Sequence, residues 1–167
     1  MSDRTIFNRT YTAFTPQGTT VYLVNGGLKT SASGFNPTID IIAGEDMVRG
    51  TPVYVSGTKV FPAHAAASVQ NFEINVIGFT DEAATENAPV TVDVDGIVTI
   101  LGSQVTGESA LTPGKYYYLS EYRGEITQNT SASGTVGVPD YKASAPLGVA
   151  VTTTALTIEI ASPTFLV

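Results

Sequence analysis

The sequence predicts an all-β protein, a small barrel or sandwich of about ten short strands built from two near-repeated halves, with an N-terminal arm. Three observations carry that expectation. Thr (24) and Ser (12) supply much of the polar surface while charged residues make up only 14%, against roughly 25% in ordinary globular chains, and β-branched Thr suits a pleated, half-exposed surface. Apolar and polar residues alternate over short runs, as in Val90, Val92 and Val94 against Thr91 and Asp93, the period of a strand with one buried face. Finally, a stretch of about fifteen residues recurs later in the chain.

Taken in order, residues 1–38 differ from the rest and read as an N-terminal arm or partner-contacting segment. Phe7, Tyr11 and Phe14 are spaced by four and three residues, a helical stripe opposed by Thr5, Thr10, Thr12 and Thr15, which lower helix propensity. Pro16-Gln17-Gly18 makes a turn, Val21–Val24 reads as a strand, and Asn25-Gly26-Gly27 and Ser31–Gly34 read as flexible joints. Arg4, Arg9 and Lys29 face only Asp3 here, whereas 39–167 carries 5 bases against 14 acids. The segment is either solvated loop or an arm meeting an acidic partner through charge complementarity.

Residues 39–167 form the β-domain. Candidate strands are Asp40–Ile42, Pro52–Val55, Lys59–Pro62, Asn75–Phe79, Val90–Val94, Ile97–Leu101, Lys115–Leu119, Gly124–Thr127, Leu147–Val151 and Leu156–Ile160. Ser56-Gly57, Asp95-Gly96 and Arg123-Gly124 are read as hairpin tips, because Gly supplies the positive φ such turns need. Helix is expected only as a turn or two near Ala63–Val69 or Asp81–Glu86.

The near-repeat matches Ala43–Ser56 to Thr106–Ser120, Lys59-Val60-Phe61 to Glu125-Ile126-Thr127, Ile77-Gly78-Phe79 to Leu147-Gly148-Val149, and Thr91–Val94 to Leu156–Glu159. Two copies are too few for a solenoid and fit two related halves of one barrel or sandwich. Gly within the third strand of each copy predicts a bulge or a close backbone approach.

Composition excludes several chemistries. With no Cys, one His and no Trp, there is no disulfide framework, thiolate metal site or Cys nucleophile. No cofactor or metal site is expected. A net charge of −7 argues against nucleic acid as a partner. No run approaches 18 apolar residues, so no membrane span is expected, and Met1–Thr5 leads into no apolar core of a signal peptide, so synthesis in the cytoplasm is expected. His64 lies in no Gly-x-Ser-x-Gly elbow and reads as structural. Asp93-Val94-Asp95-Gly96 opens like a calcium loop but has Val98 and Gln104 where that loop needs Gly and Glu, so a strand ending in a turn is the better reading. Glu45-Asp46 and Asp81-Glu82 are the carboxylate pairs a glycosidase would need, and at loop tips they read as solvating charge. No catalytic residue is assigned. In Tyr116-Tyr117-Tyr118 the middle ring faces opposite to its neighbours, which gives one core face and one surface or interface face.

The run from Ala43 to Ile160 resembles a family of small β-rich virion proteins of tailed bacteriophages, of the capsid decoration or head-fibre type. The residues that carry the resemblance are Ala43–Asp46 with Gly50–Val55, Ile77-Gly78-Phe79, Leu111–Ser120, and Leu147–Ala150 with Leu156–Ile160, and the run they mark out covers about 70% of the chain. The resemblance implies a non-enzymatic protein on the capsid exterior, bound to the major capsid protein. It favours a homotrimer over a monomer, because such proteins often sit at threefold positions. The expected shell contacts are Arg4, Phe7, Arg9, Tyr11 and Phe14, aromatics flanked by Arg as at many interfaces. The alternative for this segment is an edge strand of its own or a neighbouring barrel. The alternative function is a carbohydrate-binding or receptor-binding module of a phage fibre or surface protein, using Tyr116–Tyr118 or Tyr122, and a carboxylate hydrolase is a further rival.

Overall fold

A computed structural model describes residues 13–14, 20–24, 27–31, 38–65, 71–129 and 142–166. The chain divides into two units, Met1–Pro37 and Thr38–Val167. In the first, strands β1 (Ala13–Phe14), β2 (Thr20–Val24) and β3 (Gly27–Ser31) form an antiparallel sheet in that order. The sequence reading placed only the middle strand. Gly27 and Ser31 are the ends of β3, not parts of joints, and Val24 pairs with Gly27. Two alternating runs about an Asn-Gly tip are the pattern of a hairpin, and that signal outweighs the flexibility Gly suggests.

The second unit is all-β apart from 3-10 turns at Asn71–Ile74 and Gly102–Gln104 among the described residues. Neither turn falls at Asp81–Glu86, and residues 66–69 of the other stretch that the sequence favours lie outside the described residues. Its first half contains β4 (Thr38–Ala43), β5 (Pro52–Ser56), β6 (Lys59–Pro62), β7 (Gly78–Thr80) and β8 (Pro89–Asp93). They close into a barrel in the order β4-β6-β5-β7-β8, with β8 returning to β4 and only the β4–β6 pair parallel. Inside lie Ala43, Met47, Val53, Val60, Ala84, Val90 and Val92.

The second half contains β9 (Gly96–Thr99), β10 (Tyr116–Leu119), β11 (Ile126–Thr127), β13 (Pro146–Ala150) and β14 (Ala155–Ile158), in the order β11-β10-β13-β14-β9. Substituting β4, β5, β6, β7 and β8 for β9, β10, β11, β13 and β14 reproduces the first half's order. Even its closure recurs, since Val105 forms a parallel bridge to Ile126 where Ala43 pairs with Val60. The 3-10 turn at 102–104 interrupts this strand, so one bridge replaces a ladder. Strands β12 (Lys142–Ser144) and β15 (Thr164–Leu166) pair with each other and have no counterpart in the first half.

Hydrogen bonds repeat as well. Gly44 N donates to Val60 O (2.8 Å) and Thr106 N to Ile126 O (2.9 Å). Gly50 N donates to Thr80 O and Gly114 N to Ala150 O, both at 2.7 Å. Asp81 N donates to Thr91 O (2.9 Å) and Val151 N to Ala155 O (2.8 Å). These bonds align Thr91–Val94 with Ala155–Ile158, one residue earlier than the sequence match. With a side-chain period of two, that single step decides which face each residue takes.

The duplicated glycines explain themselves by close approach. A Cβ on Gly78 would strike the carbonyl oxygen of Asp93, and one on Gly148 would strike that of the equivalent Thr157. The tips at Ser56-Gly57 and Arg123-Gly124 do join paired strands. Asp95-Gly96 does not. It leads from β8, already paired on both sides by β4 and β7, into β9, which pairs with β14. This turn is the passage between halves.

Candidate interaction face

In β10 the alternation holds. Tyr117 is fully buried, Tyr116 exposed and Tyr118 half-buried. The Tyr117 hydroxyl accepts from Thr112 N at 2.8 Å and donates to Glu108 Oε2 at 3.2 Å, which satisfies its polar end inside the core.

Outward from the same sheet, direct cross-strand partners line up as one row, Tyr116–Val149–Thr157–Ile97. None carries a charge, and Tyr116 and Ile97 are each 53% exposed. The equivalent row of the first half is Pro52–Phe79–Asp93–Thr38. There Pro52, Phe79 and Asp93 are buried, and Tyr54, which stacks on Phe61 at 5.9 Å, joins Phe79 in one core with Val98, Ile100, Leu119 and Leu156 of the second half. The duplicated fold thus buries most of this row once and leaves its two ends exposed once.

The halves meet through polar ties around a groove of about 280 Å³ lined by Glu45, Asp46, Thr51, Gln104, Arg123 and Glu125 among others. Each of these groups is engaged. Gln104 Nε2 donates to Thr51 Oγ1 at 3.2 Å and its Oε1 accepts from Leu101 N at 2.9 Å. Arg123 pairs with Glu45 at 3.1 Å, Glu86 N donates to Asp46 at 2.8 Å, and Thr106 donates to Glu125 at 2.8 Å. The groove is a joint between the halves.

The other sequence candidates resolve into structural roles. His64 Nε2 lies 2.9 Å from Glu73 Oε2, and Tyr54 donates to the other oxygen of Glu73 at 3.4 Å. Burial first, then the charge of Glu73, pushes the Tyr54 phenol above its ordinary pKa. Asp81 pairs with Arg49 at 3.2 Å, tying two loops of the barrel. Asp93 is buried in β8, and Asp95 Oδ1 accepts from the amide of Gly96 at 2.7 Å, so this stretch is a strand running into a turn. Among the described residues no three metal-ligating side chains gather. Of the expected shell contacts, Arg4, Phe7, Arg9 and Tyr11 lie outside the described residues, and Phe14 enters as a residue of β1 whose backbone pairs with Thr20. The sequence flagged Tyr116 but missed Val149, Thr157 and Ile97. They stand on three strands, and only the register brings them into one row.

Comparison with family models, with curated proteins and with solved structures finds no match.

Proposed function

We propose that the chain is a non-enzymatic structural protein of a tailed-phage virion that binds the major capsid protein on the outside of the head. The observation that supports a binding role most is the row Tyr116–Val149–Thr157–Ile97, exposed at both ends and half-buried between, whose counterpart in the first half buries Pro52, Phe79 and Asp93. Surface without charge and with an exposed Tyr is what the centre of a protein interface favours. The absence of catalysis belongs to the same reading, because the acids Glu45, Asp46 and Asp81 are tied into loop contacts. The resemblance of Ala43–Ile160 to decoration proteins supplies the partner, the capsid exterior as location, and a homotrimer as the assembled form. In this reading Arg4, Phe7, Arg9, Tyr11 and Phe14 anchor the chain to acidic pockets on the shell. Deleting residues 1–16 then abolishes binding to capsids while a cooperative β-domain melt persists, and full occupancy by the truncated chain would refute the anchor.

A second reading is a carbohydrate-binding module of a fibre. It is favoured by Tyr122, which is exposed like Tyr116. Glycan-array binding lost on Tyr122→Ala would establish it in place of the first.

A further inference from the structure

The duplication compares two sets of equivalent positions. At one end of the second half, Leu119 and Val98 are 1% and 2% exposed, while their counterparts in the first half, Val55 and Ile39, are 40% and 41% exposed. Leu119 and Val98 are buried in the cluster that holds Tyr54 and Phe79 from the face of the first half. The same end presses on the Gly50 turn, where a Cβ would strike the Thr99 carbonyl and come within 3.2 Å of Ile100 Cα. Its counterpart Gly114 has the same φ of +80° and nothing within 4 Å. Within the chain, then, the end of the second half covers the face of the first. Among the described residues, the end of the first half keeps Ile39 and Val55 exposed and the face of the second keeps Tyr116 and Ile97 exposed, the two complementary pieces of that same contact.

We infer that a second copy of this chain docks head to tail, the end of its first half covering the face of the second half of this copy. The covering end carries Ile39, Val55 and a hollow of about 340 Å³ lined by Asp40, Ile41, Ile42, Thr58 and Pro89. The receiving face carries Gly114, Lys115, Tyr116, Val149 and Ile97. The fit follows from the intrachain contact that it repeats. Such a contact is heterologous, so it builds a ring if the rotation closes and a filament if it does not. The inference gives the row of Tyr116 to a second copy and leaves contact with a capsid to residues 1–16, so sedimentation tests the one and the 1–16 deletion tests the other.

The test uses the full chain and sedimentation velocity at concentrations on the order of 100 μM, where contacts of Kd near 10 μM are populated. The wild type forms species larger than the 17.4 kDa monomer. Tyr116→Asp, which spoils only the face, and Val55→Asp, which spoils only the end, each sediment as monomers. Mixing them restores one intact pair of surfaces and gives a one-to-one dimer that grows no further. Ile97→Lys and Ile39→Lys repeat the design on other strands in case either first variant loses its cooperative melt. A wild type that stays monomeric assigns the face to another occupant and overturns the inference. So does a mixture that stays monomeric, or a folded single variant that still associates.

Discussion

Gly78 and Gly148 are fixed by what lies opposite them. Each faces the carbonyl of an equivalent residue on the following strand, backbone that cannot move aside without breaking the β7–β8 or β13–β14 ladder. Gly78→Ala and Gly148→Ala are each expected to cost about 1–3 kcal/mol, the range for overpacking a close contact. Gly107→Ala faces open space, and its φ of +77° leaves only the left-handed penalty of about 1–2 kcal/mol. Urea melts of the three variants check that order. Tyr54 gives a pH signature. Its folded pKa is raised by burial and by Glu73, so the folded state keeps the phenolic proton longer than the unfolded chain does. That contribution is complete below the unfolded value of about 10 and is lost as pH climbs through the folded one. Thermal melts across that alkaline range should fall more steeply for the wild type than for Tyr54→Phe.

At the scale of elements, local pattern was most legible where it was self-contained. The ten strand candidates of the β-domain all correspond to observed strands, because each was a short apolar run bounded by turn residues. Pairing was legible only where a turn joined neighbours in one sheet. Asp95-Gly96 has the composition of a hairpin tip, yet β8 was already paired on both edges, and no local residue reports that. Strands β12 and β15 escaped notice because they are three residues each and find one another across nineteen intervening positions. The 3-10 turn at Gly102–Gln104 was equally hidden, since it replaces strand that the first half retains. Gln104 ties this turn to Thr51, buried on both sides. Gln104→Ala leaves the Leu101 amide without that acceptor and is expected to cost about 1–3 kcal/mol, read as a lower urea midpoint.

For the whole molecule, the near-repeat was visible in sequence and became a duplicated strand order in the structure. The bare row on the second half was half visible. Tyr116 announced itself through its neighbours, whereas Val149, Thr157 and Ile97 are ordinary strand residues until register aligns them. The fold buries a face in one half and leaves Tyr116 and Ile97 of its counterpart exposed in the other, a surface we give to a second copy of the chain, while the proposed virion reading places the capsid contact on residues 1–16. The most direct measurement is a cryo-EM map of particles carrying the chain beside particles that lack it. The account predicts added β-rich density on the outer surface of the head, in contact with the major capsid protein. Density confined to the tail or fibres, or identical maps in the two preparations, would contradict it.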